Sequence, residues 1–92
     1  MAALSAEQAA SMLTTLPEWE IKSGELVRTY KFADFVAALG FVNRVGQLAE
    51  KAGHHPDIDI RYNKVRLALV THDAAGLTSK DFDLAAQADK AV

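Results

Sequence analysis

The sequence predicts an α+β domain ordered α-β-β-α-β-β-α, a four-stranded antiparallel sheet with helices packed on one face. Three observations lead there. Asp57 to Tyr62 alternates Ile58, Ile60 and Tyr62 with Asp57, Asp59 and Arg61, and Val65 to Val70 repeats the alternation with Val65, Leu67 and Leu69, as half-buried strands do. Trp19 to Lys22 and Glu25 to Phe32 flank Ser23-Gly24 and read as a second hairpin. Between the hairpins, Asn43, Arg44, Gln47, Glu50 and Lys51 fall on one helical stripe of Ala33 to Lys51. A lone hairpin is marginal in water, whereas four strands under helices bury a common face.

Each element has its own local signal. Ser5 with Gln8 matches a capping box, so a short first helix is expected over Ala6 to Leu13, ended by Pro17. Trp19, taken alone, reads as a core residue. In the central helix Phe35, Val36, Leu39, Phe41, Val42, Val45 and Leu48 make an apolar face broader than a surface helix needs, and Phe32, Phe35 and Phe41 are expected in the core. Gly53 fits the left-handed position just past that helix. For the second hairpin, Asn63-Lys64 is the expected two-residue loop. It sets Tyr62 against Val65, Ile60 against Leu67 and Ile58 against Leu69, and extends to His55 against His72 at roughly 4.5–5.5 Å between Cβ atoms. Pro56 marks the loosening of that ladder. Ala74-Ala75-Gly76 is a small-residue loop. Thr78 with Asp81 forms a second capping box and Leu77 with Phe82 a hydrophobic staple, opening a last helix from about Ser79 to the C-terminus.

The 92 residues fit one domain, 1–92, with a single modest core. A net charge of −2 and a pI near 5.8 give no electrostatic case for nucleic acid or an anionic membrane. No cysteine is present, which removes disulfides and thiolate metal sites and fits a reducing compartment. The N-terminus lacks the charged and apolar regions of a signal peptide, and no apolar run approaches membrane-spanning length, so a cytoplasmic domain is expected. The spare apolar breadth of the central helix and the open sheet edges point to a homo-oligomer.

All three histidines lie between Glu50 and Asp83: His54 and His55 side by side, and His72 one hairpin later. A neutral imidazole both gives and accepts a proton near neutral pH, so histidines around one cavity suit eliminations, dehydrations and tautomerisations. Asp73 is adjacent and Asp81 close by. The competing chemistry is a three-histidine metal centre with an open position. It ranks second because adjacent His54 and His55 cannot both point to one face of a regular strand. Asp81 is most simply the third member of its capping box.

At these residues the chain closely resembles the pterin-4a-carbinolamine dehydratases, also called 4a-hydroxytetrahydrobiopterin dehydratases. The motifs are Glu50-Lys51 before His54-His55-Pro56, Tyr62-Asn63-Lys64-Val65, Thr71-His72-Asp73, Gly76-Leu77-Thr78 and Asp81 to Ala85, with a looser match upstream through Trp19, Phe32, Phe35, Phe41 and Arg44-Val45. The resemblance implies the same α+β sheet, assembled as a homodimer or homotetramer. It implies removal of water from a 4a-hydroxytetrahydropterin to give quinonoid dihydropterin, with no metal or organic cofactor. On the matching positions, His54 and His72 are the implied acid/base pair, His55 binds substrate, and Asp81 supports the site beside Asp73. Ile58 departs from members that carry an aromatic residue there. Some relatives act as non-catalytic assembly modules or as cofactors of a transcription factor, and nothing in this chain identifies such a partner.

Overall fold

In the computed structural model, which describes Ala2 to Val92, both predicted capping boxes close on their helices. Met1, the first residue of the expected 1–92 domain, lies outside the described residues. Helix α1 (Ala6–Leu13) starts where the Ser5 hydroxyl accepts from the Gln8 N–H at 3.1 Å and Gln8 Oε1 accepts from the Ser5 N–H at 2.9 Å. Strands β1 (Glu20–Lys22) and β2 (Glu25–Lys31) turn on Ser23 and Gly24, both at positive φ (52° and 78°). Helix α2 (Phe35–Ala52) begins later than the expected Ala33, because the Asp34 carboxylate accepts from the Ala37 N–H at 2.8 Å and fixes the cap there. It ends on Gly53 at φ 63°, as expected. Strands β3 (Asp57–Arg61) and β4 (Lys64–Leu69), a 3₁₀ turn (His72–Ala74) and helix α3 (Ser79–Lys90) complete the chain.

The sheet is antiparallel in the order β1-β2-β4-β3, so the two hairpins join through β2 and β4. Leu26, Tyr30, Val65, Leu67 and Leu69 form one buried core with Phe41 and Val45 of α2 and Phe82, Leu84 and Ala85 of α3. The opposite face carries the polar Thr29, Lys31, Asp59, Arg61, Lys64 and Arg66 around two buried apolar residues, Val27 and Ala68. Among the described residues no helix is long and apolar enough to cross a membrane.

Two expectations are corrected. The tip of the second hairpin is Tyr62-Asn63, so Arg61 pairs with Lys64, Ile60 with Val65 and Ile58 with Leu67, and Lys64 is a strand residue. The ladder is therefore offset by two residues from the expected one, and His72 leaves it for the 3₁₀ turn instead of facing His55. Asn63 decides this: its carbonyl accepts from the Phe32 N–H at 2.8 Å and its amide donates to the Phe32 carbonyl at 2.9 Å, which leaves Tyr62 to take the left-handed position at φ 53°. An even offset keeps the paired strand residues on their predicted faces, but Tyr62, expected on the half-buried face with Ile58 and Ile60, leaves the strand for the turn and is exposed. The second correction is Phe35, which is 46% exposed and outside the core, on an apolar stripe of α2 with Val36 and Leu39 that no other part of the chain covers.

Candidate active site

His54 and His55 stand in the irregular segment between the Gly53 cap and β3, and freedom from a strand's alternation lets both face one cavity. The 3₁₀ turn after β4 brings His72 and Asp73 to the same cavity, and the start of α3 adds Lys80. The space is about 260 Å³, with Gly53, Val70 and Thr71 completing its wall. The three histidines and Asp73 thus meet despite the corrected register.

The histidines differ in their surroundings. His54 is largely buried, with 11% of its side chain exposed, and its Nε2 lies 2.5 Å from Oδ1 of Asp81, whose side chain is fully buried. Asp81 also accepts from the Thr71 hydroxyl at 2.8 Å and the Thr78 N–H at 2.9 Å. A carboxylate ringed by donors makes Nε2 the protonated nitrogen of His54 and Nδ1 its acceptor nitrogen. Asp81 is therefore both the third member of the helix cap and the residue that orients His54. It lines no part of the cavity and reaches it only through its contact with the ring. His55 is exposed, and its Nε2 pairs with Glu50 Oε1 at 2.5 Å. His72 and Asp73 are exposed at the rim.

Thr71 and Lys80 were missed by reading the sequence for reactive side chains. The signal for Thr71 was its place one residue before His72 at the end of a strand. For Lys80 it was membership in the first turn of the helix that carries Asp81. Among the described residues, no three His, Asp or Glu side chains are grouped as metal ligands would be. A larger groove of about 490 Å³ lies between α2 and α3, lined by Arg44, Gln47, Lys51, Gln87 and Lys90 among others. It holds no group that exchanges protons near neutral pH, so the smaller histidine cavity is the better candidate for acid/base chemistry.

Fold and cavity together define a class: an α+β protein with a histidine-lined cavity at the edge of an antiparallel sheet. The sequence profile of the Pterin 4 alpha carbinolamine dehydratase family matches residues 2–91. A protein of Acidobacterium capsulatum, provisionally named a pterin-4-alpha-carbinolamine dehydratase, is 60% identical over 86 residues, 94% of each chain. One of Chloroflexus aurantiacus under the same provisional name is 58% identical over 90 residues, 98% of this chain and 97% of the relative. The crystal structure of a transcriptional coactivator/pterin dehydratase from Brucella melitensis superposes with a TM-score of 0.93 at 31% identity, over 97% of both chains. A pterin dehydratase-like RuBisCO assembly factor of the alpha-carboxysome shares the fold at a TM-score of 0.67 and 22% identity, over 79% of this chain and 84% of its own. The chain belongs to the pterin 4 alpha carbinolamine dehydratase family, a family of hydro-lyases.

Proposed function

We propose that this chain, as one domain over residues 1–92, dehydrates a 4a-hydroxytetrahydropterin to the quinonoid dihydropterin by histidine acid/base catalysis, in the cytoplasm and without metal or organic cofactor. The observation that carries the reading is the meeting of His54, His55 and His72 in one cavity, with His54 backed by the buried Asp81. In this reading the imidazolium of His72 protonates the departing 4a-hydroxyl. The C4a–O bond breaks and its electron pair leaves with water. Nδ1 of His54 takes the N5 proton, and the N5–H electron pair becomes the new C4a=N5 bond. Asp81 accompanies the charge that forms on His54. His55, held by Glu50, borders the substrate, and Asp73 and Lys80 at the rim offer an acceptor and a donor to the polar edge of the pterin.

The same reading includes a homodimer or homotetramer. Phe35, Leu39 and Val42 share one stripe of α2, Ile58 of β3 is also exposed, and Val42, Ile58 and His55 line one surface depression. A second copy seated there would border the site through His55. The uncovered apolar stripe also favours a second function, a non-catalytic assembly module on the same fold.

A stopped-flow absorbance assay of 4a-hydroxytetrahydropterin dehydration tests the reading. Wild type is expected to exceed the spontaneous rate, and His54→Ala and His72→Ala are each expected to lower the enzymatic rate roughly 10²–10⁴-fold. A folded wild type no faster than the spontaneous reaction sinks the dehydratase reading and leaves the assembly module.

A further inference from the structure

We propose that Thr71 is a positioning residue that sets the tautomer and orientation of His54 through Asp81, while its backbone holds the turn that carries His72. The inference rests on the acid/base reading of the histidine cavity and adds a residue to it.

The hydrogen bonds fix the direction of every proton in the chain. A threonine hydroxyl has one proton to give. That of Thr71 goes to Asp81 Oδ2 at 2.8 Å. The Thr71 oxygen must then be the acceptor in its 2.8 Å contact with the Thr78 hydroxyl, whose own oxygen accepts from the Lys80 N–H at 3.3 Å. Donors therefore run in one sense, from Lys80 through Thr78 and Thr71 to Asp81. Asp81 Oδ2 is taken by Thr71 and the Thr78 N–H, which leaves Oδ1 to His54.

Helix capping does not account for Thr71. The cap of α3 is complete with Thr78 and Asp81, and Thr71 lies ten residues before Asp81, outside the helix. What the Thr71 hydroxyl adds is a second donor, after the Thr78 N–H, on a fully buried carboxylate whose remaining partner is an imidazole facing the cavity. Its main chain does a second task. The Thr71 N–H donates to the Gly76 carbonyl at 3.0 Å, and the Thr71 carbonyl accepts from the N–H groups of Ala74 (3.1 Å) and Gly76 (3.4 Å), closing the loop that presents His72 and Asp73. One residue thus ties the two histidines to a common frame.

The experiment compares wild type with Thr71→Val, Thr71→Ala and Thr71→Ser by long-range ¹⁵N–¹H NMR of the His54 ring across pH, alongside kcat and KM for dehydration. The groups facing His54 are Asp81 and Lys80 from α3, His72 and Asp73 from the turn, and His55 beside it, none of which changes in these variants. In the wild type, neutral His54 is expected as the Nε2–H tautomer. With one donor lost, Asp81 is freer to turn, so Thr71→Val or Thr71→Ala should shift the His54 ring ¹⁵N resonances and weaken the preference for the Nε2–H tautomer. The same variants should lower kcat roughly 10–100-fold, by analogy with the loss of a hydrogen-bond partner that orients a metal-ligating histidine, with KM little changed. Thr71→Ser should recover most of both.

An Nδ1–H tautomer in the wild type overturns the proposal without need of any variant. A folded Thr71→Val or Thr71→Ala with wild-type His54 ring resonances and kcat also overturns it. If the ring responds as expected while the wild type has no dehydratase activity, the positioning role stands and the proposed reaction falls.

Discussion

Asp89 gathers three side chains around one carboxylate. The Trp19 indole donates to its two oxygens at 3.0 and 3.1 Å, Arg28 donates at 2.7 Å, and the Tyr30 hydroxyl donates as well. Arg28 also sits over the Tyr30 ring, 4.2 Å from its centroid. The cluster fastens the last turn of α3 to β2 and to the segment before β1, which makes Trp19 a polar anchor as well as a core residue. Burial, followed by the hydrogen bond and the charge of Asp89, pushes the Tyr30 hydroxyl far above the ordinary phenol range, and Arg28 only partly opposes this. The linkage has a definite sign. A folded value above the unfolded one contributes stability that is fully present below about pH 10, where unfolded tyrosine titrates. That stability is lost as pH rises from there toward the folded value. In Tyr62→Phe protein, where Tyr30 is the remaining tyrosine, tyrosinate absorbance should appear only as the near-ultraviolet circular dichroism of Trp19 collapses. Ionisation in a still-folded protein would refute the clamp. Tyr30→Phe should cost about 1–3 kcal/mol in urea unfolding, the scale of a hydrogen bond to a charged group.

At the scale of elements, the loop between β4 and α3 is the part on which the site depends. It is braced from outside by the N-terminal segment. The Leu4 N–H donates to the Leu77 carbonyl at 2.7 Å, and the Ala3 methyl lies where a side chain at Gly76 would go, 2.9 Å from an ideal Cβ. Gly76 is thus required by close approach and not by an unusual backbone angle; the left-handed residue of the loop is Ala75, at φ 54°. Gly76→Ala should destabilise the protein by about 1–3 kcal/mol, as overpacking does. Combining it with Ala3→Gly should restore at least half of the loss in thermal or urea unfolding. No recovery in the double variant would mean that the strain lies within the loop itself.

For the whole molecule, the question is what covers α2. Val36 is 76% exposed, and Phe35 and Leu39 accompany it, on a helix whose other side supplies Phe41, Val45 and Ala49 to the core. An apolar stripe beside a sheet edge is the form a self-complementary interface takes. In the proposed oligomer, Leu39→Glu should shift sedimentation velocity toward the monomer and leave the circular dichroism of the fold intact. Activity should fall with it if the second copy borders the site through His55. An unchanged oligomer would place the interface elsewhere on the surface.

The sequence by itself determined what is settled within a turn or two of chain. The capping boxes at Ser5 and Thr78, the Ser23-Gly24 turn and the left-handed Gly53 follow from residues whose partners lie within four positions, so their chemistry can be read in place. Alternation determined which side chains of β3 and β4 face inward, Ile58 and Ile60 with Val65, Leu67 and Leu69, and the two-residue offset of the second hairpin preserved that face. The clustering of the histidines was legible because one hairpin separates them. Tertiary structure alone decided the rest. Asn63 set the register by bonding to Phe32, thirty-one residues away; the order β1-β2-β4-β3 depends on how two hairpins share one core; Phe35 left that core because Phe41 and Val45 already fill the sheet-facing side of α2. Thr71 beneath His54 and Asp89 beneath Trp19 became visible only in three dimensions. A buried carboxylate selects its donors by where the packed elements bring them, and local pattern carries no record of that choice.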